Sequence, residues 1–178
     1  MSEVKDFIRV YDDIMTEKEC TALIEKYEAD HILWDKIETE PAKFTQLNIS
    51  KIPEWREQGE FFANLIYSGV QHYFDDVAAP IVPPTSGFEE IIIRKYLQGS
   101  SDKYDLHIDV GGIGSSKRYL ACMSFLNDSD DSVEFPSLDF RVEFKRGRVL
   151  MFPPTWMFPY PISSSEDTSK YIMATYLH

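Results

Sequence analysis

A histidine and an aspartate at spacing i, i+2 carry the clearest chemical signal in the chain. Ile108 separates His107 from Asp109, and side chains at positions i and i+2 of a strand point to the same face of a sheet. A neutral imidazole and a carboxylate on one face can converge on one cation, and this donor pair suits Fe(II). Alone the pair is a weak signal, because a surface histidine near an acidic loop has the same sequence.

The front half of the chain carries helical patterns. Thr16 and Glu19 form a Thr-x-x-Glu capping box that begins a helix, and apolar residues then follow helical spacing. A second helix is predicted over residues 55–74. His72 lies near its end, where a lone histidine is usually a capping or surface group. Residues 1–88 are therefore predicted to be a mostly helical N-terminal part.

The back half carries strand patterns. Prolines from Pro80 to Pro84 and then Gly87 mark a loop, after which short β-rich runs begin. Short strands separated by turns indicate an antiparallel sandwich or barrel. We expect one domain over residues 1–178, of α+β class and mainly β, with a β-rich core that contains the site in residues 89–178. The predicted strands cover residues 90–96, 118–126, 140–144, 148–152 and 170–177.

The composition excludes several classes of protein. Hydrophobic residues make up 43% and aromatic residues 14% of the chain, as in globular proteins. The formal net charge of -12 argues against nucleic acid as a partner, because phosphate binding needs an excess of lysine and arginine. No apolar run reaches the roughly 18 residues that a membrane-spanning helix needs. Residues 1–6 show no apolar signal core, so the expected compartment is the cytoplasm.

Four weaker signals have ordinary structural interpretations. Cys20 and Cys122 are expected to be buried apolar residues rather than a disulfide framework. The basic run 145–148 is expected to be a turn between strands. The glycine-rich run 111–114 lacks the following helix of a phosphate cradle and suits a loop over the pocket mouth, able to act as a substrate lid. The Asp130-Asp131 pair is expected to be a solvated turn.

Further motifs stand around the His-x-Asp pair in a fixed order. Tyr96 lies in a strand that ends in a glycine turn, Tyr104 precedes His107 by three residues, and a Gly-Arg-Val-Leu-Met-Phe-Pro run and Lys170 follow. With these motifs the sequence resembles the prolyl 4-hydroxylase-like branch of the 2-oxoglutarate- and Fe(II)-dependent oxygenases. The resemblance covers residues 89–178. It implies a double-stranded β-helix, a jelly-roll of two packed antiparallel sheets, with N-terminal helices packed on one side.

The resemblance also implies a role for each matched residue. His107 and Asp109 match two iron ligands, and Lys170 matches the basic residue that pairs with the distal carboxylate of 2-oxoglutarate. A buried ammonium that faces a carboxylate is physically sensible. Tyr96 matches an aromatic residue that contacts the same cosubstrate, and Tyr104 stands where the family often has another pocket-lining aromatic residue. From the residues alone, both tyrosines can equally be core or rim residues, and Lys170 a solvated lysine.

One position departs from the family pattern. Where the family has a further histidine ligand upstream of the basic anchor, this chain has Tyr160. A phenol is a poor ligand until it is deprotonated, and phenolate prefers Fe(III), as in the tyrosine-ligated haem of catalase. Tyr160 can therefore ligate a metal, stay neutral while water takes the third position, or fill a pocket that binds no metal. His31, His72 and His178 lie outside the motif, and the segment 128–135 is shortened relative to the family.

The function implied by the resemblance is hydroxylation of a substrate C–H bond with O2 and 2-oxoglutarate. The oxidising power would belong to the iron, and the protein would orient the metal, the cosubstrate and a small-molecule, peptide or protein substrate. Peptidyl proline is the substrate by family analogy, and fold-level analogy does not fix a substrate. The alternative is a catalytically impaired or non-catalytic binding module on the same fold, because the third iron ligand is missing.

Overall fold

A computed structural model describes residues 3–178 of the chain. Within them lie two α-helices, α1 (Glu17–Ala29) and α2 (Arg56–Asp76), together with eleven strands. The strands are β1 (Arg9–Tyr11), β2 (Asp35–Thr39), β3 (Ala42–Asn48), β4 (Ile92–Tyr96), β5 (Lys103–His107), β6 (Leu120–Phe125), β7 (Ser132–Phe135), β8 (Phe140–Glu143), β9 (Val149–Phe152), β10 (Tyr160–Ser163) and β11 (Lys170–Leu177). The predicted helices and strands are all present, with bounds shifted by a few residues.

The strands form one large curled sheet and one hairpin. The large sheet has the order β1-β9-β6-β11-β4-β3-β5-β10, with β2 paired to β3, and β7 pairs with β8 in the hairpin. All pairings in both sheets are antiparallel. This mainly β architecture with two helices is a double-stranded β-helix, which confirms the predicted fold.

Two cores lie on opposite faces of the large sheet. In β11, Ile172, Ala174 and Tyr176 belong to the core inside the curled sheet, which we call the barrel interior. Met173 and Leu177 belong to the core between the sheet and the helices. Because side chains alternate along a strand, a strand covered on both faces is apolar throughout, and every residue of β6 is buried.

The capping box of α1 forms as predicted. The backbone N–H of Glu19 donates to the Thr16 hydroxyl at 3.3 Å, and the backbone N–H of Thr16 donates to the Glu19 carboxylate at 2.7 Å. These bonds satisfy two backbone donors that a helix N-terminus leaves unpaired. Helix α1 thus begins where the sequence indicated.

The front half contains more strand than the sequence analysis predicted. Strand β3 pairs with β4 and also with β5, so it lies inside the large sheet rather than beside it. Ala42, Phe44 and Leu47 of β3 are buried. The 42–44 alternation was present in the sequence but is too short to stand out beside two long helical patterns.

The basic run 145–148 is a turn, as predicted. Gly147 has a φ of 76°, which favours glycine. Its carbonyl accepts hydrogen bonds from the backbone N–H groups of Ile14 at 3.0 Å and Met15 at 3.2 Å. The Arg148 guanidinium pairs with Asp12 at 2.7 Å. Through these contacts the turn connects the segment before α1 to the sheet.

Two sequence expectations concern the chain terminus and membranes. The expected lack of a signal core rests on residues 1–6, of which Met1 and Ser2 lie outside the described residues. Among residues 3–178, no helix combines the length and apolar character required to cross a membrane.

Candidate functional site

His107 and Asp109 are brought together, although not by a shared strand. Strand β5 ends at His107, and Asp109 lies in the bend that follows it. The expectation that both residues belong to one strand is therefore wrong. The bend still turns the carboxylate toward the ring, and Nε2 of His107 lies 3.8 Å from Oδ1 of Asp109. Both side chains are nearly closed to solvent, at 8% and 5% exposure.

The imidazole of His107 is held in one orientation and one tautomer. Its Nδ1 lies 2.8 Å from the backbone carbonyl oxygen of Asp105. Because a carbonyl only accepts hydrogen bonds, Nδ1 carries the proton and Nε2 keeps its lone pair. The ring stacks on Tyr104 with a centroid distance of 3.5 Å. Nε2 is buried and has no hydrogen-bond partner, and burial lowers the pKa of the imidazole, which favours the neutral form.

Both oxygens of the Asp109 carboxylate accept hydrogen bonds from tyrosines. The Tyr160 hydroxyl donates to Oδ2 at 2.9 Å, and the Tyr176 hydroxyl donates to Oδ1 at 2.7 Å. Arg118 donates to the backbone carbonyl of Asp109 at 2.7 Å. The carboxylate is thus fixed in position and partly compensated, since hydrogen bonds to an ionised acceptor are strong.

Tyr160, the residue in place of the further histidine, lies directly beside the pair. Strand β10 pairs with β5 so that Tyr160 is opposite His107, and the side chain is fully buried. Burial, reinforced by the Asp109 charge, raises the pKa of the phenol well above its ordinary value. Tyr160 is therefore a neutral donor to Asp109 in this structure. The position of its oxygen is compatible with each of the three roles left open by the sequence.

Lys170 lies on the barrel-interior face of β11 but is already paired. Its ammonium, with 0% side-chain exposure, pairs with Asp131, whose side chain is 31% exposed. The ammonium also lies 4.9 Å from the centroid of the Phe144 ring. The expectation that Asp130-Asp131 is a solvated turn is wrong for Asp131, because its carboxylate compensates the buried lysine. Burial lowers the pKa of Lys170, and Asp131 opposes that shift.

Tyr96 belongs to the core of the barrel interior, and Tyr104 packs against that core. Tyr96 is fully buried and directly opposite Lys170 across the β4–β11 pairing, and its hydroxyl has no hydrogen-bond partner. Tyr104 is half-buried and stacks on His107 as described above. The pairing of Tyr96 with Lys170 is consistent with the prediction that both residues contact the same cosubstrate.

A cavity of about 630 Å³ opens beside Asp109. The sequence analysis did not identify four of the residues that line it, although the positions of two of them carried a signal. Arg94 precedes the inward-facing Tyr96 by two residues, and Tyr176 follows Lys170 by an even number of residues, so strand alternation places both inside. Gly114, from the glycine-rich run expected at the pocket mouth, also lines the cavity. The missed residues are Arg94, Arg118, Tyr176 and His178.

The site offers two protein donors to a metal. The described residues contain no group of three or more His, Cys, Asp or Glu side chains placed to hold an ion. His107 Nε2 and the Asp109 carboxylate nevertheless fit a divalent cation, because a buried imidazole nitrogen with a free lone pair and a carboxylate face each other. The carbonyl of Asp105 on the other ring nitrogen is the kind of outer contact that metal-bound histidines make. The hydroxyl oxygens of Tyr160 and Tyr176, which both contact Asp109, are further oxygen donors beside the pair.

Comparison with solved structures identifies the fold. The chain is similar to a viral collagen prolyl hydroxylase from Paramecium bursaria Chlorella virus-1, solved as its 2OG complex, at 16% identity over 96% of this chain and 95% of that one, with a TM-score of 0.68. It is also similar to a Pseudomonas putida prolyl-4-hydroxylase at 11% identity, 97% and 92% coverage and a TM-score of 0.67.

A third similar structure contains a bound peptide. It is a Trichoplax adhaerens prolyl hydroxylase in complex with a hypoxia inducible factor oxygen degradation domain peptide, at 12% identity over 97% of this chain and 83% of that one, with a TM-score of 0.71. No family model and no curated protein sequence matches the chain. The chain therefore has the double-stranded β-helix fold of prolyl hydroxylases, at sequence identities that identify the fold alone.

Proposed function

We propose that the chain is a 2-oxoglutarate- and Fe(II)-dependent oxygenase with an altered ligand set, which hydroxylates a C–H bond of its substrate. The observation that carries the proposal is the buried Nε2 of His107, which has no partner and faces the Asp109 carboxylate at 3.8 Å. A buried polar atom without a partner costs free energy, and such atoms in a pocket point to a functional ligand.

His107 and Asp109 would hold the iron, and either Tyr160 or water would be its third ligand. The bound iron would supply activation of O2 for substrate oxidation, which no amino-acid side chain provides. The chain's own residues prepare the site: Asp105 fixes the proton on Nδ1 of His107, and Tyr104 fixes the plane of the ring. The apolar barrel interior excludes bulk water, which strengthens the attraction between a cation and Asp109.

Lys170 and Tyr96 would bind the distal end of 2-oxoglutarate. Both face the barrel interior and lie opposite each other, and the Tyr96 hydroxyl is free to donate. Lys170 would have to exchange Asp131 for the cosubstrate carboxylate. That exchange trades one charge-assisted bond for another, so it weakens but does not prevent binding.

The substrate would be a small molecule, a peptide or a protein, with peptidyl proline as the candidate suggested by the structural relatives. The net charge of -12 supports the proposal that the partner is not a nucleic acid. We retain the cytoplasm as the proposed compartment.

A non-catalytic binding module is the second candidate, and two specific contacts favour it. The tyrosine hydroxyls on Asp109 take both oxygens that a metal would use. Asp131 takes the ammonium that the cosubstrate would use. In this alternative the same pocket binds a ligand without iron chemistry.

An anaerobic titration separates the two candidates. Fe(II) and then 2-oxoglutarate are added to the protein, and the visible charge-transfer band of chelated iron is recorded. The oxygenase proposal expects a band that is lost in His107→Ala and weakened in Lys170→Ala, while Lys170→Ala still retains iron. Absence of both the band and retained iron would overturn the oxygenase proposal and leave the binding module.

A further inference from the structure

Arg94 is a charged side chain in the barrel interior that neither candidate function uses. It lies on β4 between Ile92 and Tyr96, on the inward face, and lines the cavity beside Asp109. Its guanidinium carbon lies 5.4 Å from the centroid of the Phe44 ring. Arginine stays protonated in proteins, so a permanent positive charge faces the cavity.

The guanidinium of Arg94 has no anionic partner among residues 3–178. It forms no ion pair there, its nitrogens donate no hydrogen bond, and Nε is buried without a partner. Asp109, the nearby carboxylate, is engaged by Tyr160 and Tyr176 instead. Arg94 is half-buried, and a charge that is partly withdrawn from water is normally paired, so this arrangement leaves a position for an anion.

The other charges around the cavity are mostly compensated. Glu89 pairs with Arg118 at 2.7 Å, and Glu90 pairs with Lys51 at 2.9 Å. Lys117 also lines the cavity. Besides these pairs, the cavity lining thus has two positive charges without an ion-pair partner among the described residues, those of Arg94 and Lys117, and one negative charge, the hydrogen-bonded carboxylate of Asp109. In a protein with a net charge of -12, this cavity is locally suited to an anion.

We propose that this cavity binds a small molecule through a carboxylate group, which Arg94 holds by paired N–H donors. The fork of a guanidinium matches the two oxygens of a carboxylate. A volume of about 630 Å³ is in the range of small-molecule sites. The proposal deepens the proposed function, since the acid would be the substrate presented beside His107 and Asp109, separate from the cosubstrate at Lys170. The binding step itself requires no metal.

The test measures binding of acids and of their neutral counterparts in the presence of a chelator. Pentanoate, benzoate and N-acetylglycine are titrated by calorimetry and by ligand-observed NMR, each beside its primary amide. We expect at least one acid to bind, with its amide weaker by about tenfold or more, the effect of losing hydrogen bonds to a charged group.

Three variants test which side chain provides the positive charge that binds the acid. Arg94→Met should weaken acid binding by about tenfold or more and leave amide binding unchanged. The acid affinity of Arg94→Lys should lie between those of the unaltered protein and Arg94→Met. Lys170→Met removes the other interior cation and so separates acid binding at Arg94 from acid binding at the proposed cosubstrate anchor. Arg94→Met should also raise the melting temperature, because it removes an uncompensated and half-buried charge; a purely structural arginine would give the opposite shift.

The inference is overturned if none of the acids binds, if acids and amides bind equally, or if Lys170→Met rather than Arg94→Met removes binding. Its failure is distinguishable from failure of the oxygenase proposal, because the acid titrations contain no iron and no 2-oxoglutarate. Acid binding without iron retention would support the inference within the binding-module alternative.

Discussion

The Tyr160 hydroxyl donates a hydrogen bond to Oδ2 of Asp109 at 2.9 Å. The residue that the family resemblance aligns with a histidine therefore contacts the carboxylate that we propose as an iron ligand. A cation that binds Asp109 must displace this proton or share the carboxylate with it. In the proposed metal site, Tyr160 would therefore matter in two ways, because it provides no imidazole and it engages an oxygen of Asp109.

Tyr160→His is expected to raise Fe(II) affinity by about tenfold or more, since even contacts outside the ligand shell change metal affinity by that order. It adds an imidazole opposite His107 and removes the phenol proton from Asp109. Anaerobic iron titration measures the affinity, and succinate release measures 2-oxoglutarate turnover.

Tyr160→Phe is the matched control for that variant. It also frees Oδ2 of Asp109 but adds no donor, so it should raise iron affinity less than Tyr160→His does. Equal affinities in the two variants would mean that release of Asp109, rather than the new imidazole, is responsible. A histidine variant that retains no iron would contradict the view that the rest of the pocket is intact.

The buried pair of Lys170 and Asp131 should respond unequally to removal of its two members. Asp131→Asn leaves a fully buried ammonium without a counter-charge and should lower the free energy of unfolding by about 3 kcal/mol or more. Lys170→Met leaves a carboxylate that is 31% exposed and can be hydrated, so its cost should be about 1 kcal/mol or less.

Urea denaturation of the two variants and of the double variant measures this asymmetry. The double variant should be more stable than Asp131→Asn alone, since it contains no unpaired buried charge. A larger loss for Lys170→Met than for Asp131→Asn would show that the lysine contributes mainly through packing.

Gly147→Ala should destabilise the protein more than Gly99→Ala. Both glycines have positive φ, 76° and 61°, and an alanine there costs about 1 kcal/mol from backbone strain. A Cβ at Gly147 would also collide with the carbonyl oxygen of Met15, whereas Gly99 has open space around it. The collision should add about 1–3 kcal/mol. Chemical denaturation of both variants tests the difference, and equal losses would refute the close approach.

The two cysteines should be unreactive in the folded protein. Both are free and buried. Burial raises the pKa of Cys20 to about 11 and also raises the pKa of Cys122. At pH 8 a thiol with that pKa is ionised in on the order of 1 molecule in 1,000, and only the thiolate reacts. A thiol reagent should therefore label neither cysteine in buffer and both in urea. Rapid labelling of Cys20 in the folded protein would contradict the packing of α1, and rapid labelling of Cys122 would contradict the packing of β6.

Both α-helices and five of the eleven strands were predictable, because their signals are local. The capping box at Thr16, the apolar periodicity of α2 and the run at Lys170–Leu177 each depend on neighbours in sequence. Strand β3 was missed because its place between β4 and β5 is set by pairing with distant residues. Strand formation of that kind depends on tertiary context more than on propensity.

The sequence proposed members of a candidate site, whose roles stay predictions, and it did not indicate their contacts. The sequence indicated His107, Asp109, Tyr160 and Lys170. It could not indicate that Asp131 pairs with Lys170, since a carboxylate in a polar loop has the composition of a solvated turn. Arg94 was also missed, although its even spacing from Tyr96 along one strand is a local signal that places it inside.

The position of β3 has a practical consequence for anyone who recombines this domain. Phe44 of β3 packs against the rings of Tyr96 and Tyr104 at centroid distances of 5.3 and 5.8 Å, so the wall behind the candidate site comes from the first third of the chain. A graft or chimera cut after the long helix would transplant His107 and Asp109 without the strand that supports them. The transferable unit must include residues 35–48, and the crossover point belongs before β2.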